Sequence, residues 1–272
     1  MREILKNALR AGGEVQLGYF NRQFEITQKE SQSSVVTEAD LESERVIIEI
    51  IRAGFPGHNI VSEECGLVSN GSEYTWVVDP LDGTSNFAAG IPWFGVLIAL
   101  LKGGEPFMGG AFLPVSDVMY VAETGKGVYR NDELMPGLAK RALRDSLVGF
   151  GIDFSDDDAY LDRGIGLFKN VVKGARNIRS TNSLLDFMLV AEGKFGAAIN
   201  MHTMIWDIAA PQVIISEVGG VMKSIEGGDI RYTVDEGVTG RSYAVVTGLE
   251  DIVGEVINFR LRPVHKLKKC FS

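Results

Sequence analysis

Trp76-Val77-Val78-Asp79-Pro80-Leu81-Asp82-Gly83-Thr84-Ser85-Asn86-Phe87 begins as an apolar, β-branched run and turns abruptly polar. From Tyr74 to Val78 it reads as a buried strand, because β-branched and aromatic side chains suit a pleated surface. Pro80 biases Asp79 toward extended backbone and cannot donate to a ladder. The strand is therefore expected to stop with the Asp79 carboxylate at its tip, and Asp82 follows. Gly83 permits a tight turn, and Thr84-Ser85-Asn86 is good N-cap chemistry for a helix. Two carboxylates then face a nascent helix N-terminus. Carboxylates take hard divalent cations, and free N–H groups at a helix start take phosphate. Together they suggest metal-assisted chemistry on a phosphate ester. Asp-Pro and Asp-Gly are each ordinary turn dipeptides, so the reading rests on the whole string.

Outward from this stretch, composition sets the bounds. The chain has 272 residues, enough for one large domain or two intimate ones with a sizeable core. With 45% hydrophobic and 23% charged residues it reads as an ordinary soluble globular protein. A net charge of −9 argues against nonspecific nucleic-acid binding. An acidic protein still takes an anionic substrate where bound cations reverse the local field. The two cysteines, Cys65 and Cys270, make no disulfide framework and suggest a reducing, cytoplasmic setting. Met1 to Phe20 carries charges throughout, unlike a signal peptide. The longest strongly apolar run, Phe94 to Leu101, is too short to span a bilayer.

Ile4, Leu5, Ala8, Leu9 and Val15 recur at helical spacing and predict an opening amphipathic helix that packs on the core. Gln23 to Val36, Lys29 included, is polar and predicts a short hairpin or loop. A second helix is expected from about Ala39 to Ala53, with Val46, Ile47, Ile50 and Ile51 inward. Thr37 and Asp40 are acceptable simply as helix-start residues. Asn59 to Ser62 reads as a short strand followed by Glu63-Glu64. Were it to pair with Thr75 to Val78, Glu63 would stand beside Asp79 and Asp82. His58, beside a Gly/Pro turn, reads as a loop residue. A short helix or turn runs to Pro92, followed by a meander of strands over 94–101, 107–113, 117–122 and 127–130. Gly125-Lys126-Gly127 is better explained as a hairpin turn than as a phosphate loop.

Beyond a boundary near Met135 to Arg144 the pattern alternates, giving two halves, 1–140 and 141–272. Strands are expected over 147–152, 175–179, 195–200, 221–224 and 243–247. Helices are expected over 156–172, 183–191, 207–218 and 249–259. The basic end, Arg260 to Cys270, reads as a solvated or edge segment, with a partner contact as the alternative.

Asp79-Pro80-Leu81-Asp82-Gly83-Thr84 after an apolar strand resembles the signature of the inositol monophosphatase family. This is a branch of the Mg-dependent phosphatases that includes fructose-1,6-bisphosphatases. Three more segments are similar to the family's, in the expected order. They are Val36-Thr37 with Asp40, Ser62-Glu63-Glu64 (Ser62 replacing the usual Gly), and Trp206-Asp207 ahead of a small-residue helix. The resemblance implies an α+β fold, a layered α-β-α-β-α sandwich with an antiparallel meander sheet in the first half and a mixed α/β second half, and a homodimer. It implies that Glu63, Asp79, the Leu81 carbonyl, Asp82 and Asp207 hold two Mg²⁺, with Asp40 supporting a third. Thr84, linked to Glu63 or Asp40, would orient the attacking water, and N–H groups from Gly83 to Ser85 would take phosphate charge. Without metal, such clustered acids repel and raise one another's pKa values.

Two departures bear on specificity. In Arg179-Ser180-Thr181-Asn182-Ser183-Leu184, Asn182 replaces a Gly and Leu184 an Ala, which alters the expected substrate-facing wall around Ser183. Asn200 stands where inositol-specific members carry a Glu that binds ring hydroxyls. Asp207 is expected to face substrate as well as metal. The implied activity is hydrolysis of a small phosphorylated polyol, inositol 1-phosphate or a related sugar phosphate. Alternatives are fructose 1,6-bisphosphate, NADP(H) or a 3′-phosphonucleotide as substrate, or a regulatory binding protein on the same fold.

Overall fold

The computed structural model describes residues 1–20, 26–28 and 35–260. Lys29 and the basic segment after residue 260 lie outside the described residues. The first half comprises α1 (Arg2–Tyr19), β1 (Ile26–Gln28), β2 (Val35–Thr37), α2 (Glu38–Gly54), β3 (Asn59–Ser62), β4 (Gly66–Val68) and β5 (Tyr74–Asp82). There follow α3 (Thr84–Ala88), β6 (Gly95–Lys102), β7 (Glu105–Leu113), β8 (Val118–Glu123), β9 (Val128–Arg130) and β10 (Glu133–Leu134). The strands β1 and β2 pair antiparallel as a small hairpin.

An eight-stranded sheet runs β10-β9-β8-β7-β6-β5-β3-β4. From β6 to β9 it is the expected antiparallel meander, extended by β5 on one side and the two-residue β10 on the other, and β3 joins β5 in parallel, so the sheet is mixed. The period-2 alternation of a strand divides β5 between two cores. Trp76 and Val78 face α1 and α2, where they meet Leu5, Leu9, Ile47 and Ile51. Val77 faces the opposite side, toward Leu97, Ala99 and the helices of the second half.

The second half contributes β11 (Leu147–Gly151), α4 (Asp158–Gly174), β12 (Asn177–Arg179), α5 (Leu184–Ala191), β13 (Phe195–Thr203), α6 (Ile205–Glu217), β14 (Val221–Ser224), β15 (Tyr243–Gly248) and α7 (Glu250–Arg260). Its five strands are ordered β12-β11-β13-β15-β14. The helices α5 and α6 lie between the two sheets. Ile205, Ile208, Ala209, Ala210, Val213 and Ile214 of α6 are all buried, as a helix enclosed on every side requires. Its small residues let it come close to the larger sheet, with Gly109 of β7 against the Ala210 backbone. Outside the second sheet, Leu167 and Val171 of α4 and Ile252 and Val256 of α7 cover Val148, Phe150 and Ile199. The layers are therefore α-β-α-β-α.

The sequence places the end of β5 at Asp79, but the strand continues to Asp82. Pro80 instead interrupts the register with β6 between Asp79 and Asp82, the local irregularity that a proline inside a strand forces. The freed Pro80 carbonyl accepts from Gln16 Nε2 of α1 and Ser43 Oγ of α2, each at 2.7 Å. In the second half α4 starts at Asp158, capped by the Asp157 side chain, β12 shortens to three residues, and α6 starts at Ile205. Among the described residues no helix is long and apolar enough to cross a membrane.

Candidate active site

Parallel pairing aligns Ser62 with Val78. The next residue, Glu63, donates its N–H to the Val78 carbonyl at 3.3 Å, so it stands beside Asp79. Asp79 Oδ1 accepts from Leu81 N at 3.0 Å across the Pro80 irregularity, and Asp79 and Asp82 are both buried. From the other half, Asp207 sits in the first turn of α6 and closes a capping arrangement, its Oδ2 accepting from Met204 N at 2.7 Å. The carboxylates of Asp79, Asp82 and Asp207 offer oxygens within 4.8 Å of one another. A second group of that kind is made by Asp40, Glu63 and Glu64. Asp40 is fully buried in the first turn of α2.

The two groups are electrostatically one cluster. Burial first, then the charges of Glu63, Asp82, Asp207 and Asp40, hold the Asp79 carboxyl well above the usual range. Asp82 is raised well above it by burial and by Asp207, against the opposing hydrogen bond from Leu184 N. Burial pushes Asp207 up to about 7, with Glu63 adding to the rise. Such acids need a positive counter-charge to ionise together at neutral pH. The donors are all oxygen, the set suited to a hard divalent cation such as Mg²⁺. The residues present therefore fit the metal.

Gly83 caps α3 with φ 83°, a left-handed conformation that favours glycine. A Cβ there would also lie 2.5 Å from the Trp93 carbonyl oxygen. The turn sends Thr84 and Ser85 into the cavity wall. Thr84 Oγ1 donates to the Leu81 carbonyl at 2.9 Å, where the sequence suggests Glu63 or Asp40 as its partner.

Apart from Asp40 and Glu64, which lie behind Glu63, these groups line one cavity of about 1010 Å³. Glu63, Asp79, Leu81, Asp82, Gly83, Thr84 and Ser85 come from the first half, and Asn182, Ser183, Asn200, Trp206 and Asp207 from the second. Asn182, at φ 51°, donates through Nδ2 to Asp153 Oδ1 at 2.9 Å. Ser183 caps α5. Leu184 corrects the sequence reading. Its side chain is completely buried in the core against the Gly95 position and does not face the cavity. Its backbone N–H carries its importance, by donating to Asp82 Oδ1.

No sequence pattern singles out Glu64 as a ligand, nor His202 and Thr239, nor a whole wall of the cavity: Asp153, Phe154, Ser155, Asp157, Tyr160 and Arg163. This wall follows β11, a strand with parallel neighbours on both sides. Ligands gather at the carboxyl ends of such strands, and that signal could have marked the segment from Asp153 onward.

The family model for the inositol monophosphatase family matches residues 1–255. A "Fructose-1,6-bisphosphatase/inositol-1-monophosphatase" from Aquifex aeolicus is 35% identical over 224 residues, covering 80% of this chain and 83% of the relative. A "Nus factor SuhB" from Pasteurella multocida is 31% identical over 270 residues, covering 98% and 95%. Among solved structures, an inositol monophosphatase from Anabaena (Nostoc) sp. PCC 7120 superposes with a TM-score of 0.80 at 27% identity, covering 97% of this chain and 96% of the other. The chain belongs to the inositol monophosphatase family, a family of metal-dependent phosphatases.

Proposed function

We propose that this protein is a Mg²⁺-dependent phosphomonoesterase acting on a small phosphorylated polyol, inositol 1-phosphate or a related sugar phosphate. The observation that carries the reading is the meeting of Glu63, Asp79, Asp82 and Asp207, from both halves of the chain, at one cavity where burial and mutual repulsion demand a cation. Glu63, Asp79, the Leu81 carbonyl, Asp82 and Asp207 would hold two ions, with Asp40 and Glu64 beside Glu63 for a third. Bound Mg²⁺ supplies Lewis-acid activation of water and neutralises charge on the phosphate and leaving oxygens. Thr84, anchored on Leu81, orients the attacking water, and its N–H and that of Ser85 receive phosphate oxygens. Asn182, Ser183 and Asn200 hold the polyol hydroxyls at the opposite wall.

Phosphate release from a panel of polyol phosphates, with and without Mg²⁺, tests this. Release that depends on Mg²⁺ supports it, and no release from any member overturns it. A second reading, a regulatory binding protein, is favoured by relatives named Nus factor SuhB. It predicts a stable protein complex that survives loss of the acids. We also propose a cytoplasmic homodimer, for which Ile165, Phe168 and Val172, exposed along one face of α4, offer an apolar contact surface.

A further inference from the structure

The C-terminal ends of α5 and α6 each carry a glutamate, Glu192 and Glu217. A helix C-terminus has negative partial charge, so a carboxylate there is disfavoured unless something else holds it. Both are held by the first half of the chain, through β8 and β9. At the hairpin tip, Gly125 N and Gly127 N donate to Glu217 Oε1 and Oε2, each at 2.8 Å. The two glycines sit at φ 78° and 75°, left-handed backbone that makes a small anion cradle of their N–H groups. Gly125-Lys126-Gly127 therefore does bind an anion, one that the chain itself supplies. Lys126 takes no part, because its side chain pairs with Glu123 at 2.6 Å. Further along the hairpin, Tyr120 and Arg130 face each other in register. Tyr120 Oη and Arg130 Nε both donate to Glu192 Oε1 at 2.8 Å, while Lys194 pairs with Oε2. Burial works to raise the Glu192 carboxyl, but the bonds from Lys194 and Tyr120 outweigh it and leave it below the usual range.

The opposite ends of the same two helices make the active site. Ser183 caps α5 and the Leu184 N–H donates to Asp82, while α6 opens with Trp206 and Asp207. The 13 residues of α6 span about 20 Å. A helix is stiff along its axis, so fixing one end fixes the other. We propose that Glu192 and Glu217 are positioning residues: gripped by the β8–β9 hairpin of the first half, they set where α5 and α6 lie along their axes, and so place the Leu184 N–H and the Asp207 carboxylate against Asp79 and Asp82. This rests on the metal-dependent phosphatase reading above and adds the part that aligns its two halves. An error of about 1 Å in such an alignment costs on the order of a hundredfold in rate. Neither glutamate lines the cavity, so each acts only through the helix that carries it.

The test compares wild type with Glu192→Gln, Glu217→Gln and Ile252→Val. It measures Mg²⁺ affinity by calorimetric titration, thermal midpoint, and kcat on inositol 1-phosphate. In each Gln variant one carboxylate oxygen becomes an NH₂ that meets donors, so the grip loosens while the core stays filled. Mg²⁺ affinity should fall about tenfold, the scale of losing a hydrogen bond to a charged group. The rate should fall about ten- to hundredfold with it. Ile252→Val trims a buried side chain of α7, away from both glutamates. It should lower the thermal midpoint and leave Mg²⁺ affinity within about twofold, as a distant and independent site does. Mg²⁺ affinity at the wild-type level in either Gln variant, whatever its thermal midpoint, overturns the claim for that residue. An equal loss of affinity in Ile252→Val overturns it for both, because general loosening then explains the effect. A wild type that binds Mg²⁺ tenfold better than the Gln variants yet releases no phosphate refutes the phosphatase reading and keeps the positioning role. A wild type that hydrolyses the ester but binds Mg²⁺ no better than they do refutes the positioning role alone, and one that does neither refutes both.

Discussion

The backbone N–H of Leu184 donates to the Asp82 carboxylate across 102 positions of sequence. That single bond ties the start of α5, in the second half, to the acidic cluster built by the first half. It opposes the rise in the Asp82 pKa that burial and Asp207 produce. Asp82→Asn should keep the acceptor for Leu184 while removing an anionic ligand. The fold should persist, with a thermal midpoint close to wild type. Activity should fall by orders of magnitude, on the scale of about 10³-fold for losing a catalytic electrostatic group. Mg²⁺ affinity should fall with it, measured by calorimetric titration. Normal turnover at the same Mg²⁺ concentration would sink the two-ion assignment.

Metal removal should make stability depend on pH in a defined direction. Asp207 sits at about 7 against an ordinary 3.8, with Asp79 and Asp82 also raised. A raised carboxyl keeps a proton in the folded state that the unfolded chain has already lost. Its contribution is full below the unfolded pKa and disappears as pH rises through the folded one. Chelated protein should therefore lose thermal stability between about pH 5 and pH 8. Mg²⁺ should restore on the order of several degrees at the higher pH and little at the lower. Melting curves in chelator and in Mg²⁺ across this range check it. A Mg²⁺ effect of equal size at both ends would show that the acids do not share the site.

Much of this site is legible before any coordinates. The turn chemistry of the Asp-Pro-Leu-Asp-Gly-Thr string and the Trp-Asp helix start are local patterns, whereas the strand tip expected at Asp79 was not, because β5 runs on to Asp82. What escaped reading depends on long-range packing. Nothing around Leu184 announces that its side chain would enter the core and its amide would serve Asp82. Pro80 was legible as a ladder breaker. That the strand would resume after it depended on Gln16 and Ser43, far away in sequence, satisfying its carbonyl. His58 lies at a turn as expected, but its Nδ1 accepts from the indole N–H of buried Trp76 at 3.1 Å, a pairing no spacing rule gives.

Glu44 illustrates the same point and yields a prediction. This buried residue of α2 reads as one more polar position on a helix. Its Oε1 accepts from the N–H groups of Glu64 and Cys65, at 3.2 and 3.0 Å. It thereby holds the turn that carries Glu63 and Glu64. Glu44→Ala should raise the Mg²⁺ concentration for half-maximal activity about tenfold or more, the effect expected for losing hydrogen bonds to a charged acceptor. Glu44→Gln keeps an acceptor oxygen and should stay within about threefold. The Cys65 thiol gives an independent readout. Cys65 is exposed, and partial desolvation, then the Glu44 charge, pushes its thiol up to about 11, so Glu44→Gln should lower the pH at which it alkylates. Similar Mg²⁺ requirements in both variants and wild type would mean that the turn holds itself.

Asn200 bears on which substrates the cavity accepts. It lines the cavity wall next to Asn182. A Cβ at Gly151 would lie 2.8 Å from Asn182 Oδ1 and 3.2 Å from Asn200 Cγ, so the two amides flank one backbone position. Asn both donates and accepts and carries no charge. A Glu at this position would accept from polyol hydroxyls and repel a second anionic group nearby. That repulsion in a partly wet cleft is worth about 1–2 kcal/mol, roughly a five- to thirtyfold change in kcat/KM. Asn200→Glu should therefore shift preference toward inositol 1-phosphate and away from fructose 1,6-bisphosphate. The quantity to measure is the ratio of kcat/KM for the two substrates, in wild type and variant, at saturating Mg²⁺. Because both substrates share the carboxylate cluster, a general loss of activity cancels in this ratio. An unchanged ratio would place the distal end of the substrate away from Asn200 and leave the wall at Asn182 and Ser183 to set specificity.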